Sequence, residues 1–175
     1  MRSHPRRIEQ ASNLPSHRAR ARLTAYIYGN VLVLGAVATA TPETIENGHA
    51  VVVVLATTIT TYLAHVFAHE VGASVSPEIE GQETEREEFR DALPIISSGT
   101  LPALVLLAGA LITRIDLGWA EFVAVIVVVV RLAGTGALVA RLGGPPASSR
   151  RTFWAGIGIA AVGLGIATLK AWLLH

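Results

Sequence analysis

The chain predicts an all-α membrane protein, a bundle of five transmembrane helices, on three observations. Five apolar stretches, Leu23–Ala40, Ala50–Gly72, Ala92–Ile112, Leu117–Ala140 and Phe153–Leu174, each hold 18 to 24 residues. At 1.5 Å per residue, each is long enough to cross a hydrocarbon core of about 30 Å. Charged residues make up only 15% of the 175-residue chain, against about 25% in soluble domains. The basic residues are also lopsided. Eleven arginines fall in the N-terminal flank and in the links after stretches two and four, whereas the links after stretches one and three hold only Arg114. The positive-inside rule then puts the N-terminus in the cytoplasm and the C-terminus outside, the arrangement expected of an odd number of spans in the cell inner membrane.

Residues 1–22 form a basic cytoplasmic tail, and residues 23–174 form the transmembrane domain. Ser16, after Pro15, is placed to cap the first helix ahead of the membrane. The first stretch reads as a span and not as a cleaved leader, because its basic flank is 22 residues long. Tyr26 and Tyr28 suit the cytoplasmic interface, where a ring with a polar tip is favoured. Asn30 lies deeper and reads as an interhelical hydrogen bond. Thr41, Pro42 and Glu43 end this helix, and the short acidic link after it predicts an antiparallel hairpin with stretch two.

Stretch two is apolar by composition but carries Thr57, Thr58, Thr60, Thr61, Tyr62, His65, His69 and Glu70. Thr58, Tyr62, His65 and His69 recur at helical spacing, so one face is too polar to meet lipid. Pro77 ends that helix. Residues 74–90 form an acidic cytoplasmic link, which from Glu83 has helical spacing and leads into stretch three. Pro102 lies in the middle of stretch three and frees the carbonyl of Ser98, which predicts a kink there. Ser97, Ser98 and Thr100 stand ready to bond the exposed backbone.

Stretch four contains Arg131 about halfway along. A cation at that depth costs at least about 2.5–3.5 kcal/mol unless paired, and marks a functional-site hypothesis by default. Its expected partners are a polar group on stretch two, level with Tyr62 and His65, or the Ser97–Thr100 segment. Near the outer surface, Glu121 and Lys170 are expected to form an ion pair between stretches four and five. Stretch five is rich in small residues. Gly156 with Ala160, and Gly163 with Ala167, form small-x-x-x-small pairs that let another helix approach closely, so a homo-oligomer is expected through this face.

Enzyme chemistry is not expected. His65-x-x-x-His69-Glu70 reverses the order of the zinc-peptidase His-Glu-x-x-His, since the glutamate follows the second histidine. The chain has no cysteine and only six histidines. No cofactor is required by the sequence, and nucleic acid is not an expected partner; membrane lipid is. His65 and His69, at i and i+4, are the residues that suit a shared metal ion.

The run Tyr62-Leu63-Ala64-His65-Val66-Phe67-Ala68-His69, with the ending Leu169-Lys170-Ala171-Trp172-Leu173-Leu174, resembles small uncharacterised integral membrane proteins of actinobacteria. A topological resemblance to the vacuolar iron transporters rests on five spans and a Glu-rich cytoplasmic segment between spans two and three. That resemblance implies dimers. The Glu-rich link is shorter than that family's metal-binding helices, and the first span has Asn30 but no aspartate. The leading functional expectation is movement of a small ion (a proton, cation or metal) through a polar interior holding Thr58, Tyr62, His65, His69, Glu70 and Arg131. The alternative is a non-transporting membrane scaffold or partner-binding module. A closed, fully hydrogen-bonded interior distinguishes the second from the first.

Overall fold

The computed structural model describes residues 16–75, 85–112, 116–141 and 146–173, and every described regular element is helical. In chain order these are α1 (Ser16–Ala38), α2 (Pro42–Glu46), α3 (His49–Val75), α4 (Glu85–Leu111), α5 (Leu117–Ala133), α6 (Thr135–Arg141) and α7 (Pro146–Leu173). Four helices are long and apolar enough to cross a membrane, over residues 18–38, 49–72, 89–111 and 117–137. The chain is thus a multi-pass membrane protein by helix length and hydropathy. The five spans expected from hydropathy become four among the described residues. Stretch five does fold as a helix, the 28-residue α7, but it is not one of those four.

The link between stretches one and two is more than a turn. Thr41 caps α2 through a reciprocal pair of bonds with Thr44, and Pro42 occupies the first turn, where its missing N–H costs nothing. The helix drives Ile45, fully buried, into the core. Gly48 then reverses the chain with φ +78°, a backbone conformation that side chains disfavour, and α3 begins at once.

Helix α4 runs unbroken through Pro94 and Pro102 and is the centre of the bundle, packing on α1, α3 and α5. Helix α3 packs on α1 and α4 along one flank, and α7 packs on α1, α5 and α6 along another. The interfaces are close because small residues line them. A Cβ added to Gly29 of α1 would meet Ser98 and Ile95 of α4; one added to Gly99 of α4 would collide with Thr58; one added to Gly109 would meet Ala120 of α5. The main core, including Val33, Val37, Ile45, Val54, Leu106, Val125, Val128 and Leu132, fills the half of the bundle nearer α2. Leu63 and Phe67 of α3, Leu101 and Leu104 of α4, and Val130 of α5 point outward, as lipid-facing positions do.

Two further findings concern stretches four and five. The single helix expected over residues 117–140 is broken at Gly134, dividing α5 from α6. Two of the small residues of stretch five, Gly156 and Gly163, pack inside the protomer. A Cβ on Gly156 would run into the carbonyl of Leu132 at that break, and one on Gly163 into the side chain of Leu34. The side chains of Ala160 and Ala167 lie outside the described residues.

Candidate functional site: a polar seam between α1, α4 and α5

Four residues of α1, Arg18, Arg22, Tyr26 and Asn30, are spaced by four, so they line one side of the helix. Each bonds across to another helix or supports a neighbour that does.

At the end of the bundle where α1 starts, Asp91 is 6% exposed and lies between two arginines of α1. Arg18 donates from Nε to Oδ2 at 3.0 Å and from an Nη to Oδ1 at 3.2 Å. Arg22 donates from Nε to the same Oδ1 at 2.7 Å. Such charge-assisted bonds are about twice as strong as neutral ones. One carboxylate thus holds two guanidiniums of α1 against α4.

Deeper in the bundle, Arg131 of α5 meets the same face of α1. Its Nε donates to Oδ1 of Asn30 at 2.9 Å, and its Nη2 donates to the hydroxyl of Ser97 on α4 at 3.2 Å. The guanidinium carbon lies 5.2 Å from the centroid of the Tyr26 ring, a cation–π distance. Asn30 is fully buried, and its amide nitrogen donates to the carbonyl of Tyr26 at 2.7 Å, which fixes the oxygen toward Arg131.

The helix break makes this arrangement possible. Carbonyls in the last turn of a helix lack intrahelical partners. Here the Tyr26 hydroxyl donates to the carbonyl of Arg131 at 3.1 Å, and the Thr135 hydroxyl donates to that of Leu132 at 2.6 Å. Tyr26 thus holds Arg131 by both backbone and side chain. The positive charge in the last turn of α5 also complements the negative end of the helix dipole.

Of the expected partners of Arg131, Ser97 is confirmed and the polar face of α3 is not. Helix α3 packs on α1 and α4, whereas Arg131 is engaged by Tyr26, Asn30 and Ser97. The threonines of α3 are occupied locally. Thr58 donates to the carbonyl of Val54 at 2.7 Å, Thr60 to that of Ala56 at 2.8 Å and Thr61 to that of Thr57 at 2.6 Å. Tyr62 packs with Ala25, Ala92 and Ile95 and lies 6.4 Å from the Phe89 ring. His65 and His69 are half-buried and Glu70 is exposed. No three His, Asp or Glu side chains converge on a metal-binding geometry among the described residues.

Pro102 is buried within the continuous α4. Ser98, also buried, donates to the carbonyl of Ile95 at 2.6 Å, and Thr100 donates to that of Ile96 at 2.9 Å. Glu121 is half-buried on α5, and the side chain of Lys170 lies outside the described residues, as does the ion pair expected between them.

Asp91 escapes the sequence reading because it falls between the acidic link, which ends at residue 90, and stretch three, which starts at Ala92. The available signal is the four-residue spacing from Arg18 to Asn30. It joins the orientation charges to Tyr26 and Asn30 as one polar face. A separate open notch of about 310 Å³ is lined by Asp116, Gly118, Trp119 and Phe122. Asp116 caps α5 there by accepting from Gly118 at 2.8 Å and Trp119 at 3.3 Å, and the two rings meet edge to face.

Comparison of the chain with models of known protein families, with characterised proteins and with solved structures finds no match. Neither resemblance drawn from the sequence gains support there, and no family is assigned.

Proposed function

We propose that this chain is a non-transporting integral membrane module, a scaffold or partner-binding unit, whose polar seam is a structural lock. The observation that carries this reading is the composition of the seam. Arg18, Arg22 and Asp91 satisfy one another, Arg131 bonds to neutral groups, and the buried hydroxyls of Thr58, Thr61, Ser98 and Thr135 bond to backbone carbonyls. An ion path needs groups that exchange water or ions for their partners. It also needs polar faces that meet, and here His65 and Arg131 lie on helices that share no extensive interface.

The reading includes a cytoplasmic N-terminus. Single cysteines at Asn47 and Gly81 in this cysteine-free chain should then label from opposite sides of the membrane. Further copies associate through α7 surfaces such as Gly158, which has open space beside it.

The test is ion flux in proteoliposomes, with and without a pH gradient, for the wild type and Arg131→Leu. Background flux from both is the expected result. A proton or cation flux from the wild type that Arg131→Leu abolishes in a folded protein would establish the ion-movement reading in its place.

A further inference from the structure

The Arg131 guanidinium runs from the buried interior to the surface. Its Nε edge is satisfied by fully buried Asn30, whereas its Nη2 reaches Ser97, which is exposed on the outward face of α4. The Ser97 hydroxyl itself donates to the carbonyl of Pro94 at 2.9 Å, so toward Arg131 it is an acceptor only. Every partner of Arg131 among the described residues is neutral. Around this cation the surface is mainly apolar, with Leu93, Leu101 and Leu104 of α4 and Val130 of α5 exposed; the hydroxyl of exposed Thr100 turns back to the carbonyl of Ile96. The result is an uncompensated positive charge set in a face that otherwise suits hydrocarbon.

We propose that this α4–α5 face receives a membrane-spanning helix of a different protein, and that this helix carries a carboxylate level with Ser97. The inference rests on the non-transporting reading above and names the chemistry of its partner. Charge complementarity selects a carboxylate, because a guanidinium in hydrocarbon is stabilised most by a charge-assisted, two-pronged acceptor. A second, parallel copy of this chain lacks one at the right depth. Asp91 already accepts from two arginines. Glu121 precedes Arg131 by ten residues, about 15 Å toward the other end of the bundle. Glu70 is displaced the opposite way. Thr58 of α3 faces Gly99 of α4, so in the antiparallel register Glu70 stands level with residue 87, about 15 Å from Ser97.

The test uses synthetic apolar helices of about 20 residues, each with one glutamate, reconstituted with the full chain in vesicles of zwitterionic lipid. Association is read by energy transfer. A glutamate level with Ser97 should bind about tenfold more tightly than its glutamine counterpart, the ratio that one hydrogen-bonded charge pair supports. The preference should vanish in Arg131→Gln. Moving the glutamate two turns along the helix should also abolish it, a control that needs no variant to fold. Equal binding of the glutamate and glutamine helices would overturn the proposal, as would a preference that persists in Arg131→Gln. A preference abolished by adding anionic lipid at a modest fraction would assign the site to a lipid phosphate and would also overturn it. None of these outcomes depends on ion flux, so this proposal and the non-transporting reading fail separately.

Discussion

The polar face of α3 and the polar stripe of α1 behave in opposite ways. Helix α3 carries eight polar side chains between Thr57 and Glu70, twice the number that make the α1 stripe. Yet the hydroxyls of Thr58, Thr60 and Thr61 turn back to carbonyls three or four residues behind. The α1 stripe reaches α4 through Arg18 and Arg22 and reaches α5 through Tyr26 and Asn30. The difference is one of reach and of self-sufficiency. A threonine in a helix can satisfy its own hydroxyl locally. Guanidinium and carboxylate groups have too many sites and too much charge to do so, and they pull in other helices. Counting polar residues therefore overstates α3 and understates α1.

That contrast is easiest to break at Asp91. Asp91→Ala removes the carboxylate that Arg18 and Arg22 share. Removing one partner of a buried pair costs about 3 kcal/mol or more. Denaturant titration of the detergent-solubilised protein, followed by helical circular dichroism, should show the largest loss of stability in the series. A wild-type midpoint would mean that the triad holds nothing together. Asn30→Ala comes next, at about 2 kcal/mol, because it strips the Nε of Arg131 of its buried acceptor. Asn30→Asp should recover that loss by offering a carboxylate, and failure to recover would argue against hydrogen bonding as the role of Asn30. The smallest effect belongs to α3. Thr61→Val keeps the shape and removes only a bond to the helix's own backbone, so it should stay within about 0.5 kcal/mol. A cost as large as that of Asn30→Ala would show that the threonine face ties helices together after all.

Much of the architecture was readable from the residues, and the site was partly so. Helix positions follow from length and apolarity, which depend only on local composition. Arg131 stood out because a cation among aliphatic residues is costly wherever its helix packs, and Asn30 was readable as an interhelical bond for a related reason. Which helix meets Arg131 was not readable. Depth alone admits α1 and α3 equally, and the choice is made by packing of small residues, Gly29 against Ser98 and Gly99 against Thr58. The break at Gly134 was likewise hidden within a continuous apolar run. Its stabilisers, Tyr26, Thr135 and the close pass of Gly156, come from elsewhere in the chain or from beyond the break. The glycines of stretch five were rightly read as a packing surface, but the surface they meet is their own bundle.

The four-residue spacing on α1 has a consequence for how the protein assembles. Apolar helices in a bilayer can slide past one another with little change in energy, since every offset presents similar side chains to similar neighbours. The stripe removes that degeneracy. Sliding α1 by one turn, about 6 Å, would bring Tyr26 toward Asp91 in place of Arg22 and carry Asn30 away from Arg131. Arg18 and Arg22 share Asp91, but neither Tyr26 nor Asn30 can replace a guanidinium there, so a displaced α1 keeps at most one of the two arginines on Asp91 and loses the contacts of Tyr26 and Asn30 with Arg131. Arg18, Arg22, Tyr26 and Asn30 act as the notches of a key, admitting one vertical alignment of the first helix among many of nearly equal hydrophobicity.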